Sequence, residues 1–255
     1  MGLPRFLVAP EVLRTSPVGL TGAELHHCRV LRLRPGAAVR ICDGAGREFA
    51  GRLLRVSSSR AEVNLEEEVQ AAVESPLDVT LYQALTRSEK MEFILQKTTE
   101  LGLSRFVPVL TERVQGKRPA GEDGRLARWR EIARQAVRQS GRTRLPEVAA
   151  PCTFAQAVAA ARQAPLALLP TAAAEPEAGW KQLPGVGAGL RAVSILVGPE
   201  GGFSTEEVDH ARAAGLKTLR LGPRILRTET AGVVVVALAQ FTWGDLGGEG
   251  AWTNP

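Results

Sequence analysis

The chain has three cysteines in 255 residues. Cys28, Cys42 and Cys152 are odd in number and form no CxxC pair, so neither a disulfide framework nor a zinc or iron–sulfur site is expected. His26 and His27 lie beside Cys28, but adjacent residues rarely chelate one ion together. A reducing, cytoplasmic setting fits this usage best. Long apolar runs are also missing. "VVVVALAQFTW" is much too short to span a membrane, and "MGLPRFLVAP" lacks the apolar centre of a signal peptide. Two nucleotide fingerprints are absent as well. The chain shows neither the GxxxxGK[ST] order of a triphosphate loop nor the GxGxxG of a dinucleotide fold.

What is present is a net charge of +5, carried by arginine more than lysine. That is compatible with an anionic partner such as nucleic acid, and equally with an arginine-rich surface that binds nothing. The first seventy or so residues carry short alternating runs. "GAAVRICDGAGREFAGRLLRVSSSRAEVNLEE" reads as three strands joined by turns at "DGAG" and "SSSR", which suggests a small antiparallel barrel or sheet. "TGAELHHCRVLRL" reads as a short helix, capped by Thr21 with Glu24 at the reciprocal position. A seam falls near "EEEVQAAVESP". Beyond it, apolar strands ("LDVTLYQAL", "RFVPVLT", "APLALLP", "AVSILVGPE", "LKTLRLG") alternate with helices ("RSEKMEFILQKTTELGL", "RLARWREIARQAVRQSG"). This alternation indicates an α/β domain with a largely parallel sheet. "TAAAEPEAGWKQLPGVGAG" reads as a soft connector with little to specify it.

Three constellations stand out. In "ILVGPEGGFSTEEV" a strand runs into Gly198, Pro199, Glu200, Gly201 and Gly202, and Ser204 with Glu207 makes a capping box for the next helix. Loops at the carboxyl ends of parallel strands are the usual ligand sites, although a tight turn that binds nothing has the same composition. Arg130, Arg134, Arg138 and Arg142 recur at intervals of four on one helix face, either as a phosphate-tracking strip or as a solvated face with nearby acids. In "LGPRILRTETAG", Gly222 and Pro223 fix a turn, Thr228 or Thr230 is placed to cap the apolar run that follows, and Arg224 or Arg227 faces an anion or pairs with Glu229. Val233 to Val236 are β-branched, which on local propensity leaves strand open beside helix.

The stretches "PRF" (4–6), "KMEFILQKTTELG" (90–102), "RWREIARQAVRQSGRTRLPEV" (128–148), "LVGPEGGFSTEEV" (196–208) and "LGPRILRTETA" (221–231) together resemble the bacterial RsmE family. These are 16S ribosomal RNA uridine N3-methyltransferases of the SPOUT class. The resemblance covers nearly the whole chain. It implies an α/β fold in which a PUA-like β-barrel that helps hold RNA (residues 1–72) precedes a trefoil-knotted methyltransferase domain (73–246), with a flexible tail at 247–255. It implies a homodimer, 16S rRNA within the small ribosomal subunit as partner, and S-adenosyl-L-methionine as cofactor, with no metal and no membrane.

Carried over by that resemblance, the cofactor would lie against Leu169 and Thr171, against Leu196, Gly198, Pro199, Glu200, Gly201 and Gly202, and against Leu221, Gly222, Ile225, Leu226, Arg227, Thr230 and Ala231. Arg5, Arg87, Lys90, Arg134, Arg138, Arg142 and Arg144 are the expected RNA contacts. Uridine N3 must lose a proton before it attacks a sulfonium methyl. Arg227 is the expected stabiliser of charge on the uracil oxygens, and Glu229 (or Glu100, or bulk water) the proton acceptor. A knotted methyltransferase acting on another RNA or atom, and a non-enzymatic RNA-binding protein of the same fold, are the alternatives.

Overall fold

A computed structural model describes residues 2–70, 72–113, 122–185 and 189–247. Most of the expected tail therefore lies outside the described residues. The chain divides into two compact units, one of residues 1–74 with 134–145, the other of 75–133 with 146 onwards.

The first unit holds β1 (Arg5–Leu7), β2 (Val18–Leu20), α1 (Gly22–Val30), β3 (Ala38–Cys42), β4 (Glu48–Val56) and β5 (Ala61–Val69). They form a five-stranded sheet in the order β1-β3-β4-β5-β2. The three expected strands and both turns are there. The expectation of a wholly antiparallel sheet fails at one edge, because β1 runs parallel to β3. Alternation explains the inner face, where Val39, Ile41, Leu53, Ala61 and Val63 are buried with Phe6, Val18 and Leu20. On the outer face of β4 and β5, Arg47, Arg52 and Arg55 pair with Glu68, Glu66 and Glu62 at 2.8, 3.1 and 2.7 Å.

Thr21 occupies the N-cap of α1 but makes no side-chain cap bond. Glu24 is turned inward instead. It accepts the Leu7 amide at 3.2 Å, Arg138 at 2.9 Å and Arg134 at 3.4 Å. The capping-box reading is corrected here, since charge-assisted bonds from two guanidinium groups outweigh one amide. The same contacts change the picture of the arginine strip. Arg134 also donates to the Leu7 carbonyl at 2.9 Å. Arg142 is buried and meets Glu74 Oε2 through two nitrogens, at 3.1 and 2.8 Å. The other oxygen of Glu74 takes the Thr143 and Arg144 amides at 2.7 and 2.9 Å. Arg5 pairs with buried Glu48 at 2.9 Å. Arg130 and Arg144 keep exposed side chains.

The second unit follows the predicted strand–helix alternation. It comprises β6 (Asp78–Ala84), α2 (Ser88–Glu100), β7 (Arg105–Leu110), the first part of α3 (Glu122–Ser140), β8 (Glu147–Val148), β9 (Cys152–Thr153), α4 (Phe154–Ala161), β10 (Leu166–Pro170), β11 (Ala192–Val197), α5 (Thr205–Ala213), β12 (Lys217–Leu219) and α6 (Thr228–Trp243). Every pairing in its sheet is parallel, in the order β12-β10-β11-β6-β7-β8 with β9 also on β7. Helices cover both faces, as parallel sheets require. Val193, Ile195 and Val197 of β11 pack with Met91, Ile94, Trp129 and Val235 on one side. Leu196 turns to the other, among Phe154, Val158 and Val208.

Sequence reading missed α4, although Thr153 and Gln156 form a full capping box at its start. It also underrated the 171–185 connector. Ala174 is buried there, Arg220 donates to the Ala174 carbonyl at 2.9 Å, and Trp180 stacks on Trp243 with ring centroids 5.2 Å apart. Gly102 ends α2 at φ 89°, and a Cβ there would lie 2.7 Å from the Gln240 amide nitrogen, so only glycine fits. The valine run is helical, because tertiary packing overrides β-propensity. It is not buried on all sides, however: Val234, Leu238 and Phe241 stay at least partly exposed on one stripe of α6.

Removing Glu24 would leave two guanidinium groups and the Leu7 amide without this acceptor. Glu24→Ala is expected to cost about 3 kcal/mol in urea unfolding, with Glu24→Gln less severe. A loss below about 1 kcal/mol would show that these charges are satisfied elsewhere.

Candidate functional site

The second unit carries a cavity of about 790 Å³ at the carboxyl ends of β10, β11 and β12. That is the ordinary place for a ligand in an open parallel sheet, and the size suits a small organic molecule. Three loops wall it, at residues 170–173, 197–203 and 220–227, with Lys90, Arg113, Thr228 and Ala231 completing the lining.

The glycines of the middle loop have distinct reasons. At Gly198 a Cβ would press on the Phe203 ring at 3.2 Å, and Gly202 sits at φ 69°. Ser204 and Glu207 form the predicted capping box, with reciprocal bonds of 3.2 and 3.0 Å. Glu207 also accepts the Glu112 amide at 2.9 Å, which ties the end of β7 to the same turn. In the third loop Gly222 takes φ 93°.

The capping role expected of Thr228 or Thr230 is not what the structure shows. Arg227 is the N-cap of α6, without a side-chain bond. The Thr228 hydroxyl instead donates to the Gly198 carbonyl at 2.6 Å and accepts from Gln83 at 3.0 Å. Gln83 is fully buried in β6. One hydroxyl thus joins the central strand, the middle loop and the start of α6.

Charge is concentrated at one wall. Lys90 lies 3.2 Å from Glu200 and 3.1 Å from Glu229, and Thr86 donates to Glu200. Burial pushes both carboxyls up, but hydrogen bonds and the Lys90 charge outweigh it and hold both below the usual carboxylate value. Arg227 adds to the lowering at Glu229. The Glu229 and Glu200 hydrogen bonds raise the pKa of Lys90. Glu229 is thus held by Lys90, which leaves Arg227 on the cavity wall with an exposed side chain, as are Arg224 and Ile225.

Of the expected cofactor contacts, Thr171, Gly198, Pro199, Glu200, Gly201, Gly202, Leu221, Gly222, Ile225, Leu226, Arg227 and Ala231 all line the cavity. Leu169 and Leu196 do not. Their side chains are buried between the sheet and α4 and α5. Thr230 is exposed on the first turn of α6 and is also outside the lining. Period-two alternation in β10 and β11 could have removed the two leucines in advance. Arg113, Phe203 and Arg220 line the cavity and were missed, Arg113 because only the fold brings the end of β7 to Gly201. Lys90 is at the site, whereas Arg87 is exposed outside the lining and Glu100 pairs with Lys97 at 2.9 Å.

Comparison with known proteins matches residues 73–240 to an RNA methyltransferase domain and residues 20–66 to an RNA methyltransferase PUA domain. Ribosomal RNA small subunit methyltransferase E of a Synechocystis strain is 39% identical over 245 residues, covering 93% of this chain and 76% of that protein. The chain belongs to this RNA methyltransferase family. The Mycobacterium bovis member is 34% identical over 83% of this chain and 80% of its own length. Among solved structures, the Neisseria gonorrhoeae member bound to S-adenosylmethionine superposes with a TM-score of 0.86 at 33% identity, over 96% of this chain and all (100%) of that one. A Legionella pneumophila methyltransferase in complex with the same cofactor gives 0.88 at 31% identity, over 96% and 100%. The fold is therefore α/β, with a PUA-like N-terminal part and a methyltransferase core.

Two outcomes follow from this geometry. Thr228→Val keeps the shape and loses the hydroxyl, so it should cost about 1–3 kcal/mol in denaturant unfolding, with Thr228→Ser near the native value. Because Glu200 and Glu229 have depressed pKa values when folded, their stabilisation is present above the ordinary value of 4.5 and is lost as pH falls through the folded values. Thermal melts should therefore fall on acidification through that range, and less steeply in Glu229→Gln.

Proposed function

We propose that this chain transfers the methyl group of S-adenosylmethionine to N3 of a uridine in 16S rRNA of the small ribosomal subunit. The observation that carries the reading is the three-loop cavity built by glycine-rich turns, in a chain that superposes on two structures solved with that cofactor. The residues present fit the group. Leu221, Leu226, Phe203 and Pro170 offer apolar surface for an adenine ring, and the backbone at Gly202 and Gly222, with nothing within 4 Å of where a Cβ would stand, is open to close approach. When bound, the sulfonium supplies an electrophilic methyl.

The remaining steps belong to the chain. Arg227 and Arg224 stand exposed on the wall. Arg227 neutralises charge that grows on the uracil oxygens as N3 loses its proton. Glu229 is tied to Lys90 and its carboxyl is held low, so it is a weak proton acceptor, and the N3 proton passes to water. The base must be unpaired or turned outward to enter. For the RNA backbone, exposed Arg87 and Arg144 are the better-placed cations, while phosphate at Arg5, Lys90, Arg134, Arg138 or Arg142 would compete with carboxylates already there.

The same reading includes a trefoil knot and a homodimer. The packing of α6 against α2, β6 and β11, with Thr228 bonded to the loop after β11, supports the first. The water-facing stripe of Val234, Leu238 and Phe241 supports the second. Among the described residues no helix is long and apolar enough to cross a membrane. A cytoplasmic setting follows from the ribosomal substrate.

Labelled S-adenosylmethionine, offered with assembled small subunits, naked 16S RNA or tRNA, followed by mass mapping, tests the proposal. Methyl on uridine N3 of the 16S RNA is expected. Methyl on tRNA, or on another atom, overturns it. Arg227→Ala should lower turnover by about a hundredfold or more while changing cofactor affinity little. An equal loss in both would make Arg227 a structural clamp.

A further inference from the structure

Lys90 stands where three elements meet: its own first turn of α2, Glu200 in the loop after β11, and Glu229 in the first turn of α6. We propose that Lys90 is a positioning residue, whose single ammonium bridges the two carboxylates and clamps the middle and third loops into the shape that accepts the cofactor. This rests on the cofactor reading of the cavity.

An ammonium carries three donors on a compact charge and can serve two carboxylates at once. Both oxygens lie within 3.2 Å of it. Thr86 holds Glu200 from a further side, and Arg113 donates to the Gly201 carbonyl at 3.2 Å, so the middle loop is tied down on both flanks. At the far side of the third loop the Thr228 hydroxyl adds a tie to Gly198, while Arg220 holds its near end to the Ala174 carbonyl at 2.9 Å. Each pair is part-exposed and worth little alone to global stability. Their value lies in ordering two loops before the ligand arrives, which spares the ligand that entropic cost. Without the ammonium, Glu200 and Glu229, each within 3.2 Å of it, would be left near one another uncompensated and repel. The other charged groups lining the cavity are Arg113, Arg220, Arg224 and Arg227, and Arg227 acts on Glu229. An RNA phosphate at Lys90 would compete with two carboxylates already bound to it, so the clamp is the role the geometry favours.

The test uses Lys90→Met, Lys90→Arg, Glu229→Gln and the double variant Lys90→Met/Glu229→Gln. S-adenosylmethionine affinity is measured by calorimetry across pH, methyl transfer by single turnover at saturating cofactor, and amide hydrogen exchange over 198–203 and 223–231 without cofactor. Lys90→Met should bind about tenfold more weakly, with its single-turnover rate changed less than about threefold. Its loop amides should exchange faster. Its affinity should recover as pH falls, because protonating one carboxylate removes the repulsion, whereas the native protein should lose affinity over the same range as its bridge is neutralised. Lys90→Arg should restore most of the binding, and the double variant should bind more tightly than Lys90→Met. Native affinity and native exchange in Lys90→Met overturn the proposal, as does a loss confined to rate. If the native protein itself fails to bind S-adenosylmethionine, the cofactor reading falls, and the exchange comparison still decides the clamp.

Discussion

The site depends on one hydroxyl. The Thr228 hydroxyl donates to the Gly198 carbonyl at 2.6 Å and accepts from Gln83, in the middle of the sheet, at 3.0 Å. A part-buried carbonyl at a strand end needs a partner, and a strand end that opens into a ligand loop has lost its ladder. Thr228 supplies that partner and fixes where α6 begins. The arginine before it becomes the N-cap and is left facing the cavity. The approach is close enough that a Cβ at Gly232, one turn on, would be tight, meeting Gln83 Oε1 at 3.0 Å and Ile94 at 3.2 Å.

The sequence made the architecture of both units legible because period-two alternation and helical spacing report burial directly. The turns at "DGAG" and "SSSR", the parallel strands and the Ser204–Glu207 box all follow from local chemistry. What it hid depends on distant partners. Thr21 and Thr228 both have cap chemistry, and neither makes the side-chain cap bond: the Thr228 hydroxyl is taken by Gly198 and Gln83, and Glu24, the reciprocal partner of Thr21, bonds Arg134, Arg138 and the Leu7 amide instead. The arginine spacing is real, but whether a guanidinium is free depends on Glu24 and Glu74, far away in sequence. Leu169 and Leu196 belong to loop-bearing strands and point the wrong way, a distinction that motif resemblance does not make.

The cavity itself was legible at the level of loops and less so at the level of charge. Glycine and proline mark the turns. Nothing local in "RSEKMEF" says that Lys90 will lie between Glu200 and Glu229, which are contributed by segments more than a hundred residues downstream. The resemblance assigned it to RNA, whereas in the fold it meets two carboxylates.

The arginine–glutamate ladder on β4 and β5 bears on how a polyanion would find this protein. Arg47, Arg52 and Arg55 are each matched by a cross-strand acid. A face whose charges cancel within a few ångströms projects almost no field beyond the screening length of cellular salt. A formal charge of +5 is therefore a poor guide to where attraction comes from. Long-range steering falls to cations outside this ladder, the exposed Arg224 and Arg227 at the cavity among them. The strand surface that looks most basic in sequence is electrostatically quiet.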